Sequence, residues 1–209
     1  MQNKVVYKST NTYDTLNELT DKTKTVWLVF HGIGYLSRYF IRLFQNLHPE
    51  ENYFIAPQAP SKYYKNNDYK KVGSSWLTKE NTIIDTKNVL NYIDAVMEFE
   101  KIPNSVNFVV LGYSQGVSIA SRWIAKRNIR PSALELISGG FPKELGKDEF
   151  SYLTEDTKLT HIVGENDPYF KPENVTAEKI RVQNIISHTI FKTHAGGHEL
   201  NIESLKNIL

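Results

Sequence analysis

The sequence predicts a single α/β domain over residues 1–209, built on a mostly parallel central sheet with helices on both faces. Three observations carry this. From residue 25 onward, short β-branched apolar runs alternate with longer segments of helical period, the pattern of a parallel sheet covered by helices. The run from Thr25 to Phe30 keeps its apolar character on consecutive positions, as a central strand buried on both sides requires. A chain of 209 residues that is 40% hydrophobic can close one core without disulfides or metals.

Taken in order, segments 4–9 and 13–18 flank Thr10, Asn11 and Thr12, which predicts an antiparallel hairpin at the sheet edge. After the strand at 25–30, Leu36, Tyr39, Phe40, Leu43, Phe44 and Leu47 stand at helical spacing and Pro49 ends that helix. Asn52 to Ala56 makes a short strand. Residues 57–75, with two prolines and many polar groups, read as a long surface loop. A helix over about 79–100 follows, its buried face lined by Ile83, Leu90, Ile93 and Met97. The second half continues with a strand at 105–111, a helix at 115–127, strands at 132–138 and 158–164, a helix at 173–185, a strand at 187–193 and a last helix from about 199. No internal repeat, low-complexity tract or second domain is visible.

Composition excludes several classes. The longest unbroken apolar stretch is Val26 to Phe30, far short of the roughly 20 residues that cross a bilayer, so no transmembrane segment is expected. The first residues contain no apolar signal core or cleavage site, which makes the cytoplasm the default expectation. Without cysteine there is no disulfide framework, thiolate nucleophile or cysteine-bound zinc. With 25 basic and 23 acidic residues the net charge is +2, too small a bias to predict nucleic acid as a partner.

The chemistry concentrates in a few short motifs. Gly112-Tyr113-Ser114-Gln115-Gly116 matches G-x-S-x-G directly after an apolar strand and directly before a helix, the setting in which a serine is exposed on a strained turn as a nucleophile. The bland reading is a serine at a glycine-rich helix start. A serine hydroxyl needs a base, and the base needs an acid to hold its tautomer. Asp167 follows the strand at 158–164 and falls at the same sheet edge as Ser114, with Glu165 as its rival; Asp148 and Asp156 precede that strand. Of the histidines after the serine, His161 and His188 fall in or at strands, leaving His194 and His198. His198 lies in a glycine-rich loop that could carry it over Ser114. His194 and His198 also have the i, i+4 spacing of a zinc pair, but Gly196 and Gly197 between them argue against the helix such a pair needs, so no metal is predicted. For an oxyanion, the backbone N–H groups of Gln115 and Ile33 are candidates, the latter in His31-Gly32-Ile33-Gly34. An ordinary glycine turn is the alternative there.

His31-Gly32-Ile33-Gly34, Gly112 to Gly116, Gly164 to Tyr169 and Gly196 to Leu200 stand in order along one chain, and together they resemble the acyl-protein thioesterase and phospholipase/carboxylesterase branch of the α/β-hydrolase family. The similarity runs from residue 25 to the end of the chain. It implies an α/β-hydrolase fold without a cap domain, no cofactor, and hydrolysis of carboxyl esters, lysophospholipids or S-acyl thioesters. Site by site, it implies Ser114 as nucleophile, Asp167 as acid, His198 as base, and Ile33 and Gln115 as oxyanion donors. Trp76 resembles the tryptophan that this branch places near its cleft, although a core aromatic is equally expected. The sequence departs from the branch at Tyr35, where an aspartate is usual, and at Val117, where a glycine is common.

The expected function is that of a serine esterase or thioesterase acting on small-molecule esters or thioesters of short to medium acyl chains in an open cleft walled by Ile33, Tyr35, Trp76 and Asp167. The alternative from another class is a hydrolase-fold protein that binds a small molecule or partner without turnover. Lys62, Tyr63, Tyr64, Lys65, Tyr69, Lys70 and Lys71 give one loop a basic-aromatic character. Such a run is most often a solvated surface and otherwise contacts an anionic group.

Overall fold

The computed structural model describes residues 1–170 and 172–205, and of Pro172, Glu203 and Ser204 the backbone alone. A seven-stranded sheet runs in the order β1-β3-β2-β6-β7-β8-β9, formed by Tyr13–Leu16, Asn52–Pro57, Thr25–Phe30, Asn107–Tyr113, Ala133–Ile137, Lys158–Gly164 and Ile190–His194. Every ladder is parallel except that of β1 with β3. The helices are α1 (Ser37–Phe40), α2 (Thr82–Glu100), α3 (Gln115–Arg127) and α4 (Pro172–Ile185).

All six residues of β2 are buried, and their alternation explains the two layers. Val26, Leu28 and Phe30 point into one core with Leu90 and Ile93 of α2, Val117 and Ile124 of α3, and Val182 of α4. Trp27 and Val29 point into the other, with Phe40 of α1, Phe44 of the following 3-10 turn, and Leu205. A strand with both faces covered needs apolar side chains at every position, which is why β2 reads as a continuous run.

The structure corrects four expectations. The antiparallel edge is where the sequence predicts it, but β1 pairs with β3 and not with residues 4–9, which form no strand. Val5 and Val6 of that segment lie in solvent, whereas β1 gains a hydrogen-bonding edge and lends Tyr13 and Leu16 to the two cores. The helix expected over 36–47 is a single α-turn followed by a 3-10 turn at Ile41–Phe44, which leaves Tyr39 and Leu43 exposed. The loop at 57–75 contains a two-stranded hairpin, β4 (Ser61–Tyr64) with β5 (Val72–Ser75). In α2, Ile83 is 87% exposed because the helix buries the stripe through Val89, Leu90, Ile93 and Val96 and its first turn overhangs the core. Where a last helix is expected from about 199, the described residues form a 3-10 turn at Ile202–Leu205, and the rest of that segment lies outside the described residues. Between β7 and β8 the only helical element is a 3-10 turn at Asp148–Phe150, so no helical cap rises there. No helix among the described residues is long and apolar enough to cross a membrane.

Three buried ionisable groups sit in this frame. Burial lowers His31 and His161 to about 4, opposed for His31 by its bond to Gly32 and for His161 chiefly by Glu178. Burial raises Glu135, on the central strand β7, to about 8, opposed by Thr160 and Lys192. For the histidines the folded value lies below the ordinary 6.5, so their contribution to stability is present above pH 6.5 and is lost as pH falls toward 4. Each is worth on the order of 3 kcal/mol. Glu135 has a folded value above the ordinary 4.5, so its contribution is present below pH 4.5 and is lost as pH rises toward 8. These groups place a stability maximum near pH 6.5. Thermal midpoints measured from pH 4.5 to 8 should rise and then fall, and Glu135→Gln should flatten the alkaline limb. An alkaline limb unchanged in Glu135→Gln would show that the carboxyl is not held neutral.

Candidate active site

The site forms at the carboxyl ends of β6 and β8, where a parallel sheet exposes the loops that leave it. β6 ends at Tyr113 and α3 begins at Gln115, so one residue must reverse the chain, and Ser114 does so at φ 54° and ψ −119°. Such a conformation costs about 1–3 kcal/mol and persists only where the surroundings fix it. Two bonds do so: Ser114 donates its N–H to the Ile137 carbonyl at 2.8 Å, and its own carbonyl accepts from Val117 N–H at 3.1 Å. The turn also presses α3 onto β2. A Cβ on Gly116 would lie 2.1 Å from the Phe30 carbonyl oxygen, so no other residue fits that position without moving the helix.

Asp167 and His198 come from two loops laced together by main-chain bonds. Glu165 N–H donates to the His194 carbonyl at 2.8 Å, and Asn166 N–H donates to that of Gly196 at 3.0 Å. The approach is close enough that a Cβ on Gly164 would sit 2.0 Å from the Gly197 oxygen. This lacing brings His198 over the serine: its Nδ1 lies 2.7 Å from Asp167 Oδ2 and its Nε2 lies 2.9 Å from Ser114 Oγ. Asp167 is buried, and its second oxygen accepts the Tyr169 N–H at 2.9 Å. An ionised carboxylate only accepts, so the bond to Asp167 puts the imidazole proton on Nδ1 and leaves Nε2 with a lone pair toward the serine hydroxyl.

The structure brings Ser114, Asp167 and His198 into one hydrogen-bonded chain and leaves the rivals outside it. Glu165 accepts from the Thr193 hydroxyl at 2.9 Å. His194 Nδ1 accepts from Gly196 N–H at 3.0 Å. Among the described residues, no group of three or more histidine, cysteine or acidic side chains could hold a metal ion.

The His31–Gly34 turn lies against Ser114: a Cβ on Gly32 would be 3.0 Å from Ser114 Cβ. Of the next three N–H groups, Gly34 donates to the Ser74 carbonyl at 2.7 Å and Tyr35 to that of Gly32 at 3.3 Å, which leaves Ile33 N–H without a partner among the described residues. Gln115 N–H, in the first turn of α3, is likewise unpaired there. The Gln115 side chain is fully engaged elsewhere. Its oxygen accepts from Trp76 N–H at 2.8 Å and its amide donates to the Leu77 carbonyl at 2.7 Å.

Trp76 requires a correction. It is 1% exposed, stands edge-on to Phe30 and donates its indole N–H to the His31 carbonyl at 2.8 Å, so it supports the turn from beneath and does not wall the cleft. Tyr35, 39% exposed, packs edge-on against Tyr113, and the Ile33 side chain is 54% exposed beside it.

Three functional neighbours escape the sequence reading. His31 Nε2 accepts from Ala59 N–H at 3.2 Å, so its protonated Nδ1 donates to the Gly32 carbonyl at 2.8 Å. That carbonyl belongs to the peptide unit whose other end is Ile33 N–H, so the neutral imidazole fixes the direction of the candidate donor. Tyr113 donates its hydroxyl to the His198 carbonyl at 2.7 Å, and burial pushes its phenol upward, keeping it a donor. Tyr169 stands edge-on to the His198 ring at 4.7 Å. All three belong to the motifs, but their roles depend on partners distant in sequence.

The fold recurs among solved structures. Acyl-protein thioesterase 2 from Zea mays is 15% identical over 95% of this chain and 96% of that one, with a TM-score of 0.70. A phospholipase/carboxylesterase from Dyadobacter fermentans is 17% identical over 96% and 95%, at 0.66. The Bacillus cereus carboxylesterase is 17% identical over 94% and 90%, at 0.64. At these identities the likeness is one of fold, the α/β-hydrolase fold. No curated protein sequence matches the chain significantly. The serine hydrolase (FSH1) family model matches residues 22–202, and the chain belongs to that family.

Proposed function

We propose that the protein is a carboxylesterase or acyl thioesterase in which Ser114, His198 and Asp167 form the catalytic triad. The observation that carries this reading is the continuous chain from Ser114 Oγ through the His198 ring to Asp167, at 2.9 and 2.7 Å. In the first half-reaction Ser114 Oγ bonds to the substrate carbonyl carbon as its proton passes to His198 Nε2. The imidazolium, held by Asp167, then gives that proton to the departing alkoxide or thiolate, leaving an acyl-serine and a free alcohol or thiol. In the second half-reaction a water attacks the acyl carbon, its proton passes to His198, and the imidazolium returns a proton to Ser114 Oγ as the carboxylic acid leaves. The unpaired N–H groups of Ile33 and Gln115 support a role for both as oxyanion donors, each worth roughly 2.7–4 kcal/mol to the barrier.

Substrate length is read from the surroundings. With no helical element but a 3-10 turn between β7 and β8, and with Ile33 and Tyr35 exposed beside Ser114, the acyl group would lie in an open apolar cleft. Each methylene buried there adds only about 0.8 kcal/mol until the chain outgrows the cleft, which favours short and medium acyl groups. Amides should react much more slowly because their leaving group is poorer.

A fluorophosphonate should add once, at Ser114, and Ser114→Ala should not be labelled; labelling of that variant at the wild-type rate would refute the nucleophile and favour a binding role for the fold. Asp167→Asn should lower kcat for an activated short-chain ester by about four orders of magnitude, and His198→Ala by about six. Their thermal midpoints should change little. If Glu165→Gln is damaging and Asp167→Asn is not, the acid is misassigned.

A further inference from the structure

The β4–β5 hairpin is not a remote surface feature. Its second strand is bonded to the turn that carries Ile33, through Gly34 N–H to the Ser74 carbonyl at 2.7 Å, and Ser74 Oγ donates to the Tyr35 carbonyl at 2.7 Å. The two chains approach so closely that a Cβ on Gly73 would lie 2.9 Å from Gly34 Cα. Lys65 and Tyr63 lie over this contact. A Cβ on Gly34, which adopts φ +82°, would meet Lys65 Cε at 3.3 Å, Lys65 Nζ at 3.4 Å and Tyr63 Oη at 3.5 Å. Gly34 is two trans peptide steps from Gly32, about 7 Å at most between Cα atoms, and Gly32 touches Ser114. An ammonium and a phenol are therefore held within about 17 Å of Ser114, a span that the tail of a substrate can bridge.

The charge at this rim is uncompensated. Lys65 is exposed and forms no ion pair among the described residues. Lys62, Lys70 and Lys71 share the hairpin, and the only acid between residues 62 and 71 is Asp68, which accepts the Lys70 N–H at 3.1 Å. The opposite side of the site carries acids, Glu165 on Thr193 and Glu199 on Gly197 N–H. Ile33 and Tyr35, on the turn that this cation overlies, expose their side chains.

We propose that Lys65 Nζ and Tyr63 Oη form an anion-binding subsite, so that the preferred substrate is an ester or thioester bearing a carboxylate or phosphate several bonds from the scissile carbonyl. This rests on the esterase reading and specifies its substrate class. Both groups donate to oxygen, and the ammonium contributes a charge-assisted bond that a neutral substrate cannot form. The anion can belong to the acyl half or to the leaving group, and two matched pairs separate these sources.

The first pair is 4-nitrophenyl glutarate with a free carboxylate and its neutral methyl ester; the second is butyryl 4′-phosphopantetheine and butyryl pantetheine. At low salt the wild type should favour the charged member of at least one pair by about tenfold in kcat/KM, and 0.5 M salt should erase most of that ratio. Lys65→Gln should bring the ratio close to one and Lys65→Arg should retain it. Lys126→Gln, which removes the same charge from α3, should leave it unchanged. Ratios near one in both pairs for the wild type, or a ratio indifferent to Lys65→Gln, would overturn the subsite while leaving the esterase intact. Failure to turn over any of the four compounds would overturn the esterase reading and the subsite with it.

Discussion

The reversal of the chain at Ser114 is the constraint on which the rest of the site depends. A residue with a side chain is held at positive φ between a buried strand and a helix, and the main-chain bonds to Ile137 and from Val117 leave it no relaxed alternative. The conformation lifts the hydroxyl off the sheet edge and sets the first turn of α3 beneath it, so the Ser114 hydroxyl and the Gln115 N–H are placed by the same turn. The cost, about 1–3 kcal/mol, is small against a core in which β2 is buried on both faces.

Around this turn, most contacts orient one main-chain group by means of a buried polar one. His31, neutral because burial disfavours its charge, fixes the Gly32 peptide; Trp76 holds the His31 carbonyl; Gln115 holds the 76–77 segment. On the far side, Tyr113 holds the His198 carbonyl, and the lacing of 165–166 onto 194–196 sets the distance between Asp167 and His198. A buried polar group without its partner costs roughly 1–3 kcal/mol, so each of these bonds is also a reason the loop cannot drift. The loops that carry Ser114, Asp167 and His198 are thus held from below by packed elements, while Ile33, Tyr35 and Tyr169 remain exposed above them.

Much of this was legible in the sequence because the relevant signals are local. A strand buried on both faces must be apolar throughout, so β2 and β6 declared themselves, and α3 begins and ends where its motif and period predict. Ser114 was marked by the G-x-S-x-G motif, Asp167 by its place after β8 at the carboxyl edge of the sheet, and His198 by its glycine-rich loop after the other late histidines fell in strands. The misreadings involve partners distant in sequence. β1 looked like half of a hairpin because Thr10 to Thr12 is a plausible turn, yet the edge of β3 competed for it and won. β4 is exposed at all four positions and has no periodic pattern to detect. Trp76 could be either a cleft wall or a core residue until its indole found the His31 carbonyl, and Ile83 shows that an apolar residue on a helical stripe stays in solvent where the helix overruns its core.

Every role proposed for the site requires that Ser114 take an acyl group from the substrate. Rapid-quench mass spectrometry of the whole protein, mixed with an activated butyryl ester and stopped before the first turnover is complete, tests it most directly. The expected result is a single butyryl adduct that maps to Ser114, approaches one per chain when deacylation is slow, and is absent from Ser114→Ala. Steady hydrolysis at the wild-type rate by Ser114→Ala, or an adduct mapped to any other residue, would contradict it.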